Sequence, residues 1–250
     1  MKIKLHQYLS KTGIFKSKKE ALEAIKNGDI KIDDKVTKDP QFDFNKNKRK
    51  IFYKNKELNL PLKKIYIIMN KPVGYLSSKL TEKDIELGKK SVFSLINMDE
   101  KIKNTLFCVG RLDEDTSGLL IITNDGNLTH RLTNPNCNIK KTYKAALEKN
   151  ISSDDIKRIE NGIEIILEEN GVFSKYKTKK CEVKLLPERK ALITLTEGKK
   201  REVRRIFESI GNRVLALERK SIGNINLEKF NLKKGSYLLV EKLQVDEKCA

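Results

Sequence analysis

A short polar loop between two β-forming runs constrains this chain more than any other stretch. Phe107 to Val109 is apolar, the following loop carries Arg111, Asp113 and Asp115, and Leu119 to Thr123 is again β-rich before Asn124-Asp125-Gly126 turns the chain. A loop tied to strands at both ends holds a carboxylate in one geometry, which a nucleophile or acid–base group requires and a solubilising charge does not. Two other uses of the loop compete. Asp113, Asp115, Ser117 and Gly118 imitate the first half of an EF-hand calcium loop, yet Asn124 stands where that loop needs its bidentate glutamate, and no flanking helices are visible. Alternatively, the two aspartates serve as Asx-type turns bonded to local amides.

On either side of the loop the chain reads as α+β. Leu5, Tyr8 and Leu9 follow helical spacing before Gly13, and Ser17-Lys18-Lys19-Glu20 forms a capping box for a second helix that stops at Gly28. Ile30 to Ile32 and Val36 then form a hairpin. Residues 46–64 are basic and interrupted, which places a linker around Asn55 to Leu62. The boundaries expected are 1–60 for a small helical and hairpin domain, 61–245 for a mixed, mainly antiparallel-sheet domain, and 246–250 for a tail.

Later strands are expected at Ile65 to Met69, Lys140 to Leu147, Cys181 to Leu186, Ala191 to Thr196, Val214 to Leu217 and Tyr237 to Val240, with helices at Asn127 to Leu132 and Ser152 to Ile163. Lys71-Pro72-Val73-Gly74 makes either a connector or a close backbone approach to a ligand. Residues 77–104 carry little pattern. Val203, Ile206, Phe207 and Ile210 form one helical stripe, so Arg201, Arg204 and Arg205 project from a neighbouring face, as a solvated basic surface, as phosphate contacts or as carboxylate partners.

Charge indicates the partner. The chain carries 53 Lys and Arg against 34 Asp and Glu, a net +19, and such a field favours phosphate backbones through counterion release. Residues 1–60 alone hold 16 basic and 8 acidic side chains. Cys108, Cys137, Cys181 and Cys249 are scattered, with His6 and His130 the only histidines, so neither a metal site nor a disulfide framework is expected. No uncharged membrane-length span and no apolar N-terminal signal region are visible, so a cytoplasmic location is expected, and nothing suggests more than a monomer.

Two resemblances follow. Leu5 to Pro40 resembles the RNA-binding domain named after ribosomal small-subunit protein four, which places Ser10, Lys11, Ser17, Lys18, Lys19, Lys26 and Lys31 at an RNA surface. Gly110-Arg111-Leu112-Asp113, Thr116-x-Gly118-Leu119-Leu120, Thr123-Asn124-Asp125-Gly126, Lys71-Pro72-x-Gly74, Lys141-Thr142-Tyr143 and Glu197-Gly198-x-x-Arg201-x-Val203-Arg204-Arg205 together resemble the pseudouridine synthases of the ribosomal small-subunit type. Glu202 stands where that family usually has Gln.

This second resemblance implies Asp113 as nucleophile, Tyr143 as active-site aromatic and Arg204 as the cation paired with Asp113. Lys71, Arg111, Arg201 and Arg205 join the expected RNA contacts. The implied partner is ribosomal RNA or a pre-ribosomal particle, and the implied reaction is cofactor-free isomerisation of uridine after base flipping. A non-catalytic RNA-binding or ribosome-assembly factor on the same fold is the competing reading.

Overall fold

The computed structural model describes residues 2–61, 63–169 and 171–245, so Leu62 of the expected linker and the 246–250 tail, with Cys249, lie outside the described residues. The chain divides into two compact units: Met1–Ile65 with Ile96–Phe107, and Tyr66–Leu95 with Cys108–Ala250.

In the first unit, helices Leu5–Thr12 and Lys18–Lys26 pack on an antiparallel sheet of Lys35–Val36, Ile30–Ile32, Ile51–Tyr53 and Lys56–Leu58. Leu5, Leu9, Ile25, Ile30 and Ile51 form its buried centre, and the Tyr8 hydroxyl donates to the Leu58 carbonyl at 2.8 Å. The Ser17 hydroxyl caps the second helix by accepting from the Glu20 amide at 3.1 Å. The return half of the capping box goes one residue further back, since the Glu20 carboxylate accepts from the Lys16 amide. The stretch expected to be linker is therefore partly sheet. Ile51–Tyr53 and Lys56–Leu58 pair across a Lys54-Asn55 turn with both residues left-handed, because Ile51 and Leu58 each bury a side chain there.

Residues 96–107 join this unit although their sequence is weakly patterned. Gly13 ends the first helix at φ +74°, and a Cβ on it would meet the Lys101 carbonyl oxygen at 2.0 Å. Only glycine permits that approach of the Glu100–Thr105 helix.

The second unit is built on one mixed sheet. Its strand order is Glu182–Leu186, Lys190–Leu195, Lys141–Leu147, Val214–Ile222, Thr116–Thr123, Tyr66–Lys71 and Tyr237–Val240. Neighbours run antiparallel except at the centre, where Thr116, Ser117 and Gly118 pair in parallel with Leu217, Glu218 and Arg219. All eight residues of Thr116–Thr123 are buried, the pattern of a strand covered on both faces. Gly118, at φ +103°, lets the Arg219 backbone approach so closely that a Cβ would sit 2.3 Å from its carbonyl oxygen.

Helices Gly126–Thr133, Ser153–Glu160 and Glu202–Glu208 flank this sheet. The sequence reading missed the short helix Glu82–Glu86 in the weakly patterned stretch, and with it the hairpin Glu164–Glu169 with Val172–Lys177. Ile165 and Leu167 are buried from it, whereas Val172 and Phe173 remain exposed.

Candidate active site

The aspartate loop is clamped from beneath. Lys71 ends the adjacent strand, is 0 % exposed, and its ammonium donates to the carbonyls of Thr116 at 2.7 Å, Asp113 at 3.0 Å, Pro72 at 3.1 Å and Glu114 at 3.4 Å. Burial pulls the Lys71 ammonium down to about 8, against the opposing pull of Asp115, Asp113 and Glu114. Lys71 is thus turned inward, not placed at the surface where an RNA contact was expected: the carbonyls of the loop take up its donors inside the protein. The turn behind it helps, since the Gly74 amide donates to the Glu114 carbonyl at 2.8 Å. From above, the Ser77 hydroxyl donates to the Leu112 carbonyl at 2.9 Å and accepts from its amide at 3.2 Å.

The two aspartates differ. Arg204, 8 % exposed at its side chain, places Nη2 3.0 Å from Asp115 Oδ2 and also donates to the Asp115 carbonyl at 3.0 Å and the Val214 carbonyl at 2.8 Å. Arg201 forks onto the same carboxylate at 3.2 and 3.4 Å. The expected Arg204–Asp113 pair does not form, because the Val214 and Asp115 carbonyls fix the guanidinium beneath Asp115. The Asp113 carboxylate instead opens into a cavity, with Arg201 at 4.0 Å. Neither carboxylate caps a local amide, and the half-loop that imitates a calcium site turns its Asp115 oxygens to two guanidinium groups.

That cavity measures about 680 Å³ and is lined by Asp113, Arg111, Tyr143, Leu195, Arg201 and Glu202 among others. Tyr143 reaches it from the Lys141–Leu147 strand, where the register slips between Thr142 and Tyr143, a bulge that re-aims a side chain. Asp113, Tyr143, Arg111 and Arg201 therefore converge on one cavity, and Arg204 and Arg205 are not part of its lining. Ser10, Lys11, Ser17, Lys18, Lys19 and Lys26 are exposed on the first unit, and Lys31 is half-buried, its ammonium 2.9 Å from Asn55 Oδ1.

Sequence reading also missed an acidic cluster in the wall. Glu202 is 4 % exposed and accepts from the Lys199 amide at 2.8 Å; burial and the neighbouring Glu197 push its carboxyl up to about 8. The Tyr176 hydroxyl donates to Glu197, as does the Lys179 amide at 2.7 Å. A carboxyl in place of the amide expected before Val203 was the visible signal. Tyr176 gave none, as it arrives on the unread hairpin.

A cavity lined by Asp113 and Tyr143 in the sheet unit of a chain that also carries a small basic module fits an RNA-modifying enzyme. Residues 65–209 match the RNA pseudouridylate synthase family and residues 3–49 match the S4 domain. The chain belongs to the RNA pseudouridylate synthase family, in the ribosomal small-subunit-type branch that carries an S4 domain at its N-terminus. It is an isomerase that converts uridine to pseudouridine in RNA.

An RNA pseudouridine synthase of Aquifex aeolicus, itself uncharacterised, is 34% identical over 98% of this chain and 95% of its own. An uncharacterised RNA pseudouridine synthase of Bacillus subtilis is 35% identical over 90% of each. The ribosomal small subunit pseudouridine synthase A of Vibrio cholerae is 33% identical over 92% of each. A crystal structure of a pseudouridylate synthase superposes with a TM-score of 0.64 at 26% identity, covering 95% of this chain and 96% of that one. Among the described residues no helix is long and apolar enough to cross a membrane.

Proposed function

We propose that this enzyme isomerises specific uridines of ribosomal RNA, with Asp113 as its nucleophile. The observation that carries the reading is the division of labour between the aspartates: Asp115 takes both guanidinium groups, which leaves the Asp113 carboxylate available to a substrate in the cavity. The reaction breaks the bond from uracil N1 to ribose C1′, turns the base, forms the bond from C5 to C1′ and releases the C5 proton. Oxidation state is unchanged, so no redox cofactor is required. Asp113 supplies the negative charge that opens the glycosidic bond, and the tethered Arg201 and Arg204 hold the loop and offset that charge.

Tyr143 stacks on the uracil, and its hydroxyl relays the C5 proton. A stacked uridine cannot reach this cavity, so the base is flipped, and exposed Arg111 at the mouth fills the vacated space. The basic first unit adds a second RNA contact and raises the effective concentration of substrate at the cavity. The enzyme acts as a cytoplasmic monomer during ribosome biogenesis. Relatives named for the small ribosomal subunit support small-subunit RNA as the first substrate to test.

The experiment is tritium release from C5-tritiated uridine in small-subunit and large-subunit RNA, offered as transcripts and as precursor particles, with wild type and Asp113→Asn. Release from one RNA that the substitution abolishes supports the proposal. Release by both proteins overturns the nucleophile. Silence on every ribosomal substrate overturns the ribosomal target.

A further inference from the structure

A second cavity, of about 260 Å³, adjoins the first and shares Tyr143 and Arg111 with it. Its inner wall is Arg219, 2 % exposed in the Val214–Ile222 strand and directly opposite Tyr143 in the sheet register. Arg219 Nε donates to the Leu119 carbonyl at 2.8 Å, but Nη2 has no hydrogen-bond partner. Lys141, on the neighbouring strand, lines the same cavity and is half-buried. Its ammonium reaches the Ile139 and Glu197 carbonyls only at 3.4 and 3.5 Å. Burial and the charge of Arg219 both pull the Lys141 ammonium down.

Two cations thus sit in one cavity wall, and although the charges of Glu202 and Glu197 pull the Lys141 ammonium back up, neither carboxylate hydrogen-bonds Lys141 or Arg219. Lys179 and Lys199 add positive charge at the rim. Glu197, the one carboxylate of this lining, already accepts from the Tyr176 hydroxyl on one oxygen and from the Lys179 amide on the other. Buried charges persist where a partner compensates them, and the compensating anion here has to arrive with a ligand.

We propose that this cavity is a phosphate subsite, which grips a backbone phosphodiester flanking the target uridine while the uracil occupies the Asp113 cavity across Tyr143. A guanidinium fork beside an ammonium matches a tetrahedral oxyanion, whereas a neutral base would leave both cations uncompensated. The inference rests on the synthase reading of the Asp113 cavity, because adjoining cavities fit the base and the phosphate of one strand. Its role is to fix the position of the strand against Asp113, so Lys141 and Arg219 are positioning residues and touch no reacting atom.

The test uses the full chain, with calorimetric titration of sodium phosphate against sodium chloride at equal ionic strength. Lys141→Gln should weaken phosphate binding about tenfold, whereas Lys141→Arg should retain it. Lys157→Gln, exposed on the Ser153–Glu160 helix and outside both cavity linings, is the surface control and should bind as wild type does. Should Lys141→Gln fold poorly, Arg219→Lys is the substitute, and its changed fork should weaken binding in the same direction. With tritiated RNA, Lys141→Gln should raise KM about tenfold with kcat within about twofold, and should lower the salt dependence of RNA binding by about one counterion.

Equal phosphate binding by wild type and Lys141→Gln means diffuse ion binding and overturns the subsite. Loss of phosphate binding with RNA affinity and KM unchanged means that the cavity takes a free phosphate, and overturns the backbone assignment. Tritium silence from every protein overturns the reading of the Asp113 cavity instead; the phosphate titration and direct RNA binding still decide the subsite without turnover.

Discussion

Arg204 closes on Asp115, with Nη2 3.0 Å from its carboxylate and 3.0 Å from its carbonyl, two residues away from the aspartate that opens into the cavity. A catalytic carboxylate held in a tight ion pair would have to break that pair to react. Placing the pair on Asp115 immobilises the loop while Asp113 stays accessible, with its geometry fixed by backbone contacts from Lys71.

Asp113→Asn should leave the fold and RNA affinity intact, since the Lys71 and Thr116 contacts use the Asp113 carbonyl, not its carboxylate. Tritium release should fall by at least about three orders of magnitude, with the filter-binding Kd within about twofold. A Kd that rises in step with the lost rate would make Asp113 a binding residue.

Asp115→Ala should cost about 1–3 kcal/mol, because it leaves the largely buried Arg204 without its charge partner. Urea unfolding would measure this. The rate should fall as well, because the loop loses the carboxylate half of its tether to Arg204 and Arg201 and keeps only the bond to its carbonyl. Unchanged kcat in the folded variant would separate the pair from catalysis.

Lys71→Met should destabilise by about 2–4 kcal/mol by orphaning buried carbonyls. In the folded fraction the salt dependence of RNA binding should not change, because this buried ammonium donates to loop carbonyls. A slope reduced by about one counterion would instead restore Lys71 to the RNA surface.

Glu202 gives stability a pH dependence of definite sign. Its folded carboxyl lies at about 8 against an ordinary value of 4.5, so the folded state holds the extra proton between those limits. Its contribution is fully present below about pH 4.5 and is lost as pH rises to about 8, with a slope of up to about 1.4 kcal/mol per pH unit. Glu202→Gln should remove this slope, so the variant gains on wild type as pH rises from 5 to 8 in parallel urea titrations. Parallel curves at every pH would show that Glu202 ionises normally.

Much of the framework was legible because it follows local rules. Gly13 and Gly28 end helices, Ser17 caps one, alternation marks strands, and the aspartate loop does lie between strands, although the second begins at Thr116 rather than Leu119. Asp113 and Tyr143 were found by motif and do line one cavity. Period and turn chemistry report which face of an element is apolar, and that information is carried within a few residues.

What tertiary structure alone decided is where each charge goes. Lys71 looked like a surface cation until a ring of loop carbonyls enclosed it, and Arg204 meets Asp115 because the Val214 and Asp115 carbonyls, far apart in sequence, hold its guanidinium there. Arg219 and Lys141 became neighbours only when their strands paired. The sequence by itself determined the elements, the basic character and the nucleophile candidate. Which ions pair, which stay buried and which wait for a ligand depends on register between distant strands, and no local pattern encodes that.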